Sequence, residues 1–222
     1  MSGPGVVLDR PWLALDLGGE MRVLSWAVNR PGFVTARQFL WREVRNADLP
    51  EELDVEAWFA AELAARGSAQ AVAFLTSRDI RHFHEATAAV GATEARALVT
   101  VGLSNAERVG HRMDRTGQNW GTINVALRLN RSLTEAALLE VMSIAVEART
   151  AAVMDVDMPL GPGRATGTGT DCVAVAAFEG RERYAGLHTD IGEAAGRAVY
   201  TAVLDGARHW MATQWRGLDA GA

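Results

Sequence analysis

The sequence predicts an α+β (or mixed α/β) protein, a single domain with a mixed sheet and packed helices. Three observations carry that expectation. Short apolar runs bounded by Gly, Pro or Asn alternate with longer stretches whose apolar residues recur every three to four positions. The 222 residues are 49% hydrophobic and 22% charged, the balance of a chain with a sizeable core. Both halves read strand, strand, helix, strand, helix, as a pseudo-duplication would, although they share no obvious residue identity.

Taken in order, Trp12 to Leu17, Arg22 to Val28 and Gly32 to Trp41 read as strands, parted by Gly18-Gly19 and by a turn at Asn29 to Gly32. Leu53 to Ala65 reads as a helix ending near Gly67, and the apolar run Ala71 to Thr76 as a buried strand. Ser77 then caps an expected helix whose Ile80, Phe83, Thr87 and Val90 share one face. In the second half, Ala95 to Leu103 and Thr122 to Leu129 read as strands around a polar loop. Ser132 and Glu135 form a capping box opening a helix to about Val153. A strand from Cys172 to Phe178 and a helix from about Asp190 to Met211 complete the map. The expected domain spans 6–216, with short tails at 1–5 and 217–222.

Composition removes several chemistries. All 22 basic residues are Arg, and without a lysine there is no Schiff base, no pyridoxal-phosphate attachment and no P-loop lysine. Cys172 is the only cysteine, so neither an internal disulfide nor a thiolate metal cluster forms. A net charge of −5 and a pI of about 5.6 argue against a nucleic-acid partner. No apolar stretch approaches the ~20 residues of a membrane span and Met1 to Leu17 lacks a secretory pattern, so the expected location is cytoplasmic, away from membranes.

The strongest local motif is T-G-T-G-T-D, Thr166 to Asp171. Gly167 and Gly169 permit a backbone that turns several N–H groups toward one point, with hydroxyls from Thr166, Thr168 and Thr170 and the Asp171 carboxylate beside them. This suits an oxyanion, a phosphate or a row of amides; a plain glycine turn is the equal alternative. In G-L-H-T-D-I-G-E, Thr189, Asp190 and Glu193 satisfy a helix start, whereas His188 just outside it is placed to face a cleft and move protons. G-L-S-N-A from Gly102 nearly matches a nucleophile elbow. Ser104, Asp171 and His188 follow the chain order of α/β-hydrolases, although a strand-end turn with Asn105 bonding a ligand or the backbone explains the motif as well.

Thr122 and Asn124 lie two apart on a strand, hence on one side, opposite Ile123 and Val125. Glu147 belongs to a polar stripe with Glu140, Ser143 and Thr150, the usual mark of a solvated helix face. His82 and His84, on the expected helix, diverge by about 200° and cannot share a metal, and no dedicated metal spacing appears elsewhere. Cys172 beside Asp171 reads as a small buried hydrophobe rather than a nucleophile, because a carboxylate raises a thiol pKa. Seven Trp residues include Trp12, Trp26 and Trp41, readable as core or as flat surfaces for a planar ligand.

Together and in this order, several segments resemble the adenosylcobinamide amidohydrolase family. They are R-V-L-S-W-A-V from Arg22, F-L-T from Phe74, T-V-G-L-S-N-A from Thr100, G-T-I-N-V from Gly121, E-A-R-T from Glu147, T-G-T-G-T-D from Thr166 and G-L-H-T-D-I-G-E from Gly186. The sequence departs from the family's pattern at His111, where an acidic residue is expected, at Leu187, where Lys is usual, and at Arg149, which replaces a Lys.

The resemblance implies a salvage hydrolase that cuts the amide joining aminopropanol to the f propionate of adenosylcobinamide. The products would be adenosylcobyric acid and 1-amino-2-propanol. It implies a corrinoid substrate that brings its own cobalt and no tightly bound cofactor, with a homo-oligomer left open. Joined to the residue reading, it implies His188 as general base oriented by Asp171 or Glu147, the Thr166–Asp171 loop as oxyanion donor, and Thr170 or Ser104 as nucleophile in a covalent variation. Ser104, Asn105, Trp120, Thr122, Asn124, Thr166, Gly167, Thr168, Gly169 and Glu193 form the implied substrate-binding set. The competing readings are a corrinoid-binding protein without catalysis and a serine-dependent amidase or esterase built on Ser104, Asp171 and His188.

Overall fold

The computed structural model describes residues 5–50, 52–114 and 121–215. The expected tails at 1–5 and 217–222 therefore fall, Gly5 apart, outside the described residues. The fold is α+β, as the sequence predicts. In order, the elements are β1 Val6–Asp9, β2 Trp12–Ser25, β3 Gly32–Glu43, α1 Val55–Ala65, β4 Val72–Thr76, β5 Phe83–Val90, β6 Thr93–Val101, β7 Ala106–Glu107 and β8 Ile123–Leu133. They continue with α2 Glu135–Asp155, β9 Pro159–Leu160, β10 Gly163–Arg164, β11 Gly167–Thr168, β12 Cys172–Glu179 and α3 Asp190–Gln214. The main sheet runs β4-β3-β2-β12-β8-β6-β5, with β1 on β2.

The long strand β2 organises this sheet. Its first half pairs with β1, from Trp12 to Leu15, and its last residues pair with β12, from Arg22 to Ser25. Between them its register against β3 slips from Asp16 to Met21, where Gly18 takes a positive φ of 74° and its N–H is held by the Asp16 carboxylate at 2.8 Å. The sheet folds over at this bulge. Asn124 of β8 donates 2.8 Å to the Leu75 carbonyl of β4, although several strands separate them in the sheet order.

Four layers result. β8 shows why: Ile123, Val125, Leu127 and Leu129 face α2 and α3, whereas Ala126 enters an inner layer with Leu98, Ala174, Ala176, Val23, Leu15, Phe39, Trp41 and Phe74. That inner layer lies between the two flanks of the folded sheet. On the outer side, Trp12, Leu40 and Ala73 pack against Phe59 and Leu63 of α1. The near-continuous apolar character of β8 and β12 follows from burial on both faces.

The pseudo-duplication holds for four elements in each half. β2, β3, α1 and β4, like β6, β8, α2 and β12, form an antiparallel pair followed by a helical crossover to a parallel strand. The fifth element differs. The expected helix from Ser77 is a short 3₁₀ turn, Ile80–His82, capped by Asp79, followed by strand β5 paired along its length with β6. Tertiary pairing overrides the local helical spacing there. The cap of α2 is Thr134, whose hydroxyl accepts from the Ala137 N–H at 3.3 Å, because Ser132 stays in β8.

Leu98 is fully buried and faces the inner layer, away from the helices. Leu98→Ala should therefore lower unfolding free energy by about 3 kcal/mol, read by urea denaturation. A change under about 1 kcal/mol would show that layer to be loosely filled.

Candidate active site

The N-terminal ends of β8 and β12, the C-terminal end of β6 and the end of β2 meet at one edge of the sheet, and β4 arrives over them from the folded flank. Two adjoining cavities open there. The first, of about 570 Å³, has an apolar wall with Trp26, Val28, Leu49, Phe74 and Leu75, and a polar floor with Thr122, Asn124, Thr170 and Asp171. The second, of about 430 Å³, is lined by polar groups including Ser77, Arg78, Asp79, His82, Ser104 and Gln214. Val44, Arg45, Ser77 and Gly121 border both, so the two form one cleft.

The Thr166–Asp171 loop builds the floor. The Asp171 carboxylate receives Arg149 of α2, the Thr168 hydroxyl, the Thr168 N–H at 3.0 Å and the Ile123 N–H at 3.1 Å. Burial pushes its pKa up, and Arg149 and the other donors pull against that shift. Since every ligand of the carboxylate is a donor, the ionised form is the one that fits. A Cβ on Gly167 would overlap both Arg149 and Asp171, which is why glycine stands there.

Four of the loop's six amides have partners within the protein. Thr168 N–H serves Asp171, Gly169 N–H reaches the Asn105 carbonyl at 3.4 Å, Thr170 N–H the Thr168 hydroxyl at 3.4 Å, and Thr166 N–H the Glu107 carbonyl at 2.8 Å. These four expected oxyanion donors are thus spent on the fold, a correction to the sequence reading. The Thr166 hydroxyl likewise accepts from Val109 N–H at 2.8 Å.

Asn105 is a clamp rather than a free ligand group. It is buried, donates to the Thr170 hydroxyl at 3.3 Å and accepts from Gly121 N–H at 3.1 Å. Thr170 in turn donates to the Gly121 carbonyl at 2.8 Å, and Thr122 to the Thr170 carbonyl at 2.8 Å. Thr122 and Asn124 do share the side opposite Ile123, as expected, and both line the first cavity. Trp26 donates from Nε1 to the Asp171 carbonyl at 2.8 Å while its ring stays 45% exposed, so the indole is anchored and its face is available.

Several expected site residues lie elsewhere. α3 starts at the other end of the sheet, where Asp190 packs against Gly91 in the turn between β5 and β6, while Ser104 follows the opposite end of β6. The eight residues of β12 alone span about 26 Å. His188 is exposed at that far end and is not oriented by Asp171, so the Ser104–Asp171–His188 arrangement does not assemble. Glu193 pairs with Arg197 one turn along α3, also at the far end. Glu147 is exposed and accepts from Ser143 at 3.2 Å, as a solvated face would. Ser104 enters the second cavity, while Trp120 lies outside the described residues.

The sequence reading missed the 77–82 segment. With that segment off any helix, His82 and His84 are not splayed by helical geometry, and both touch the same ring, His209 of α3, at centroid distances of 4.8 and 5.3 Å. Among the described residues, no three His, Cys, Asp or Glu side chains form a metal-holding group. The signal lay in the F-L-T motif, which runs on into Ser77-Arg78-Asp79, and the apparent helical spacing masked it.

The fold and cleft define a single-domain α+β protein with a large cleft, apolar-walled at one end and polar at the other. The chain belongs to the adenosylcobinamide amidohydrolase family, whose profile matches residues 5–214. It is 35% identical over 89 residues to an uncharacterized protein of Methanocaldococcus jannaschii, an alignment covering 38% of this chain and 35% of that relative. Among solved structures, a Burkholderia sp. beta-aminopeptidase is similar at 11% identity and TM-score 0.49, over 88% of this chain and 78% of that one. The PH0078 protein of Pyrococcus horikoshii is similar at 9% identity and TM-score 0.48, over 92% and 82%. No helix among the described residues is long and apolar enough to cross a membrane.

Two outcomes follow from the floor of the cleft. Asp171→Asn leaves the Arg149 guanidinium without its carboxylate and should cost about 3 kcal/mol of stability in urea unfolding; a loss below about 1 kcal/mol would mean the pair is not buried as described. Burial, then the Asp171 charge, push the Cys172 thiol up to about 12. Iodoacetamide at pH 8 should therefore alkylate Cys172 more than about tenfold slower than free cysteine. Labelling at the free rate would place the thiol outside this environment.

Proposed function

We propose that the protein hydrolyses the amide joining aminopropanol to the f propionate of adenosylcobinamide, giving adenosylcobyric acid and 1-amino-2-propanol. The family match along residues 5–214 carries this reading. The cleft supports it: a corrinoid overfills a cavity of about 570 Å³, so an edge of the macrocycle enters and lies against Trp26, Val28 and Leu49. A propionamide arm at that edge then reaches past Gly121 toward the polar second cavity, and Arg45, exposed at the junction, meets the polar periphery.

In this reading Thr122 and Asn124 act through their remaining acceptor capacity toward peripheral amide N–H groups, while Asn105 and the Thr166–Asp171 loop fix the floor. Cobalt arrives with the substrate.

Incubating the protein with adenosylcobinamide in the dark should release aminopropanol and yield adenosylcobyric acid, followed by mass spectrometry of the corrinoids. Bound but unaltered adenosylcobinamide would turn the reading toward a carrier. Absence of both binding and cleavage would refute the substrate.

A further inference from the structure

The second cavity holds three side chains that the fold leaves unused. His82, on the 3₁₀ turn after β4, makes no hydrogen bond from its imidazole among the described residues. The Ser104 hydroxyl, at the turn leaving β6, makes none either. Arg78 is half-buried, its Nε is buried without a partner, and its guanidinium forms no ion pair among the described residues. Asp79, next to Arg78 in sequence, gives its carboxylate to Arg81 instead. Asp79 acts on Arg78 through space without a contact ion pair, so the partly desolvated cation is incompletely compensated, and an arriving anion offsets that cost.

Elimination along the whole cleft points to the same place. The titratable carboxyl, thiol and imidazole groups lining the two cavities, among the described residues, are Asp171, Cys172, Asp79 and His82. Asp171 is held by four donors including Arg149. Burial keeps the Cys172 thiol protonated. Hydrogen bonds from Arg81 hold the Asp79 carboxyl well below the usual carboxylate range. His82 is the remaining group, and an imidazole is the side chain whose ordinary range lies nearest neutrality. Burial, the Arg78 charge and His209 on α3 lower its pKa, with Arg81 adding to the shift and Asp79 opposing it, while His84 of β5 faces the same His209 ring. The shift favours the neutral imidazole, the form that accepts a proton.

Backbone donors stand nearby. Ser104 and Asn105 are the central residues of a turn closed by Ala106 N–H on the Leu103 carbonyl at 3.1 Å, and neither of their own N–H groups is engaged among the described residues. Gly121 presses so closely on this turn that a Cβ there would lie 2.7 Å from the Ser104 nitrogen, which fixes the turn against the cleft.

We propose that the second cavity is the hydrolytic end of the cleft, with His82 as the catalytic proton carrier and the Arg78 guanidinium as the cation that receives the amide oxygen. The proposal rests on the amide-hydrolase reading above and deepens it. A water held by the Ser104 hydroxyl attacks the amide carbon; its oxygen forms the new C–O bond, its proton passes to His82, and the carbonyl electron pair moves onto oxygen beside Arg78. Collapse re-forms the C=O bond and breaks C–N, whose electron pair stays on nitrogen and takes the proton back from His82. The amine leaves and the acid ionises, its carboxylate facing Arg78. Water and amide are consumed, and acid and amine are the only products.

The test measures adenosylcobinamide turnover for wild type, His82→Gln and Arg78→Gln, with corrinoid binding followed separately by absorbance. His82→Gln should lower kcat at least 100-fold, with binding within about threefold of wild type. Arg78→Gln should lower kcat about 10–1000-fold. The wild-type rate should fall on the acid side as His82 protonates, along a limb with an apparent pKa below about 6.5. A wild type that cleaves nothing would defeat the functional reading itself. A wild type that cleaves, with His82→Gln within about fivefold of it or with an acid limb whose apparent pKa lies above about 6.5, would defeat this assignment alone. The wild-type pH profile needs no variant to fold, so it decides the matter even where a substitution unfolds the protein.

Discussion

The cleft depends on one buried charge pair. Asp171 and Arg149 come from a loop and from a helix that cross at the edge of the sheet, and their ion pair joins α2 to the start of β12. The same carboxylate also collects Thr168 and the first residue of β8. Through Thr170, Asn105 and Gly121 the network extends to the turn after β6. Removing water from a carboxylate and a guanidinium costs several kcal/mol per ion, which only near-complete hydrogen bonding recovers. The carboxylate finds that bonding in Thr168 and Ile123, whereas the Arg149 Nε stays buried without a partner. The T-G-T-G-T-D sequence is accordingly a structural knot, and its outer surface lines the first cavity.

This explains which parts of the site were legible in the sequence. The period of two on β8 placed Thr122 and Asn124 together correctly, because one side of that strand had to be apolar for the helices. The glycines and threonines of the loop marked a special backbone, but not whether its N–H groups faced a ligand or the protein. Spacing carries no information on that choice; the fate of each donor does. His188 shows a second limit. A histidine before a helix is placed by the end of the sheet at which the helix begins, and α3 begins at the end away from the cleft.

Most of the fold was legible for the opposite reason. Strands such as β6, β8 and β12 are buried on both faces, so composition alone identified them. β5 was not legible because it is Ala-rich and half-exposed, with spacing that suits a helix equally well. Its pairing with β6 decides its conformation, and that partner is visible only in three dimensions. The misreading carried the 77–82 segment with it, and so hid the polar end of the cleft.

The folded sheet has a consequence for ligand fit. The floor of the cleft belongs to β8 and β12, its roof to β4, and these flanks are continuous with each other chiefly through β2. The bend at Gly18 therefore acts like the rivet of a pair of pliers. The gap available to a flat ligand is gauged by backbone geometry well outside the cleft, in residues that touch no ligand. A substitution at the rivet would alter the width of the cleft as readily as one at the jaws.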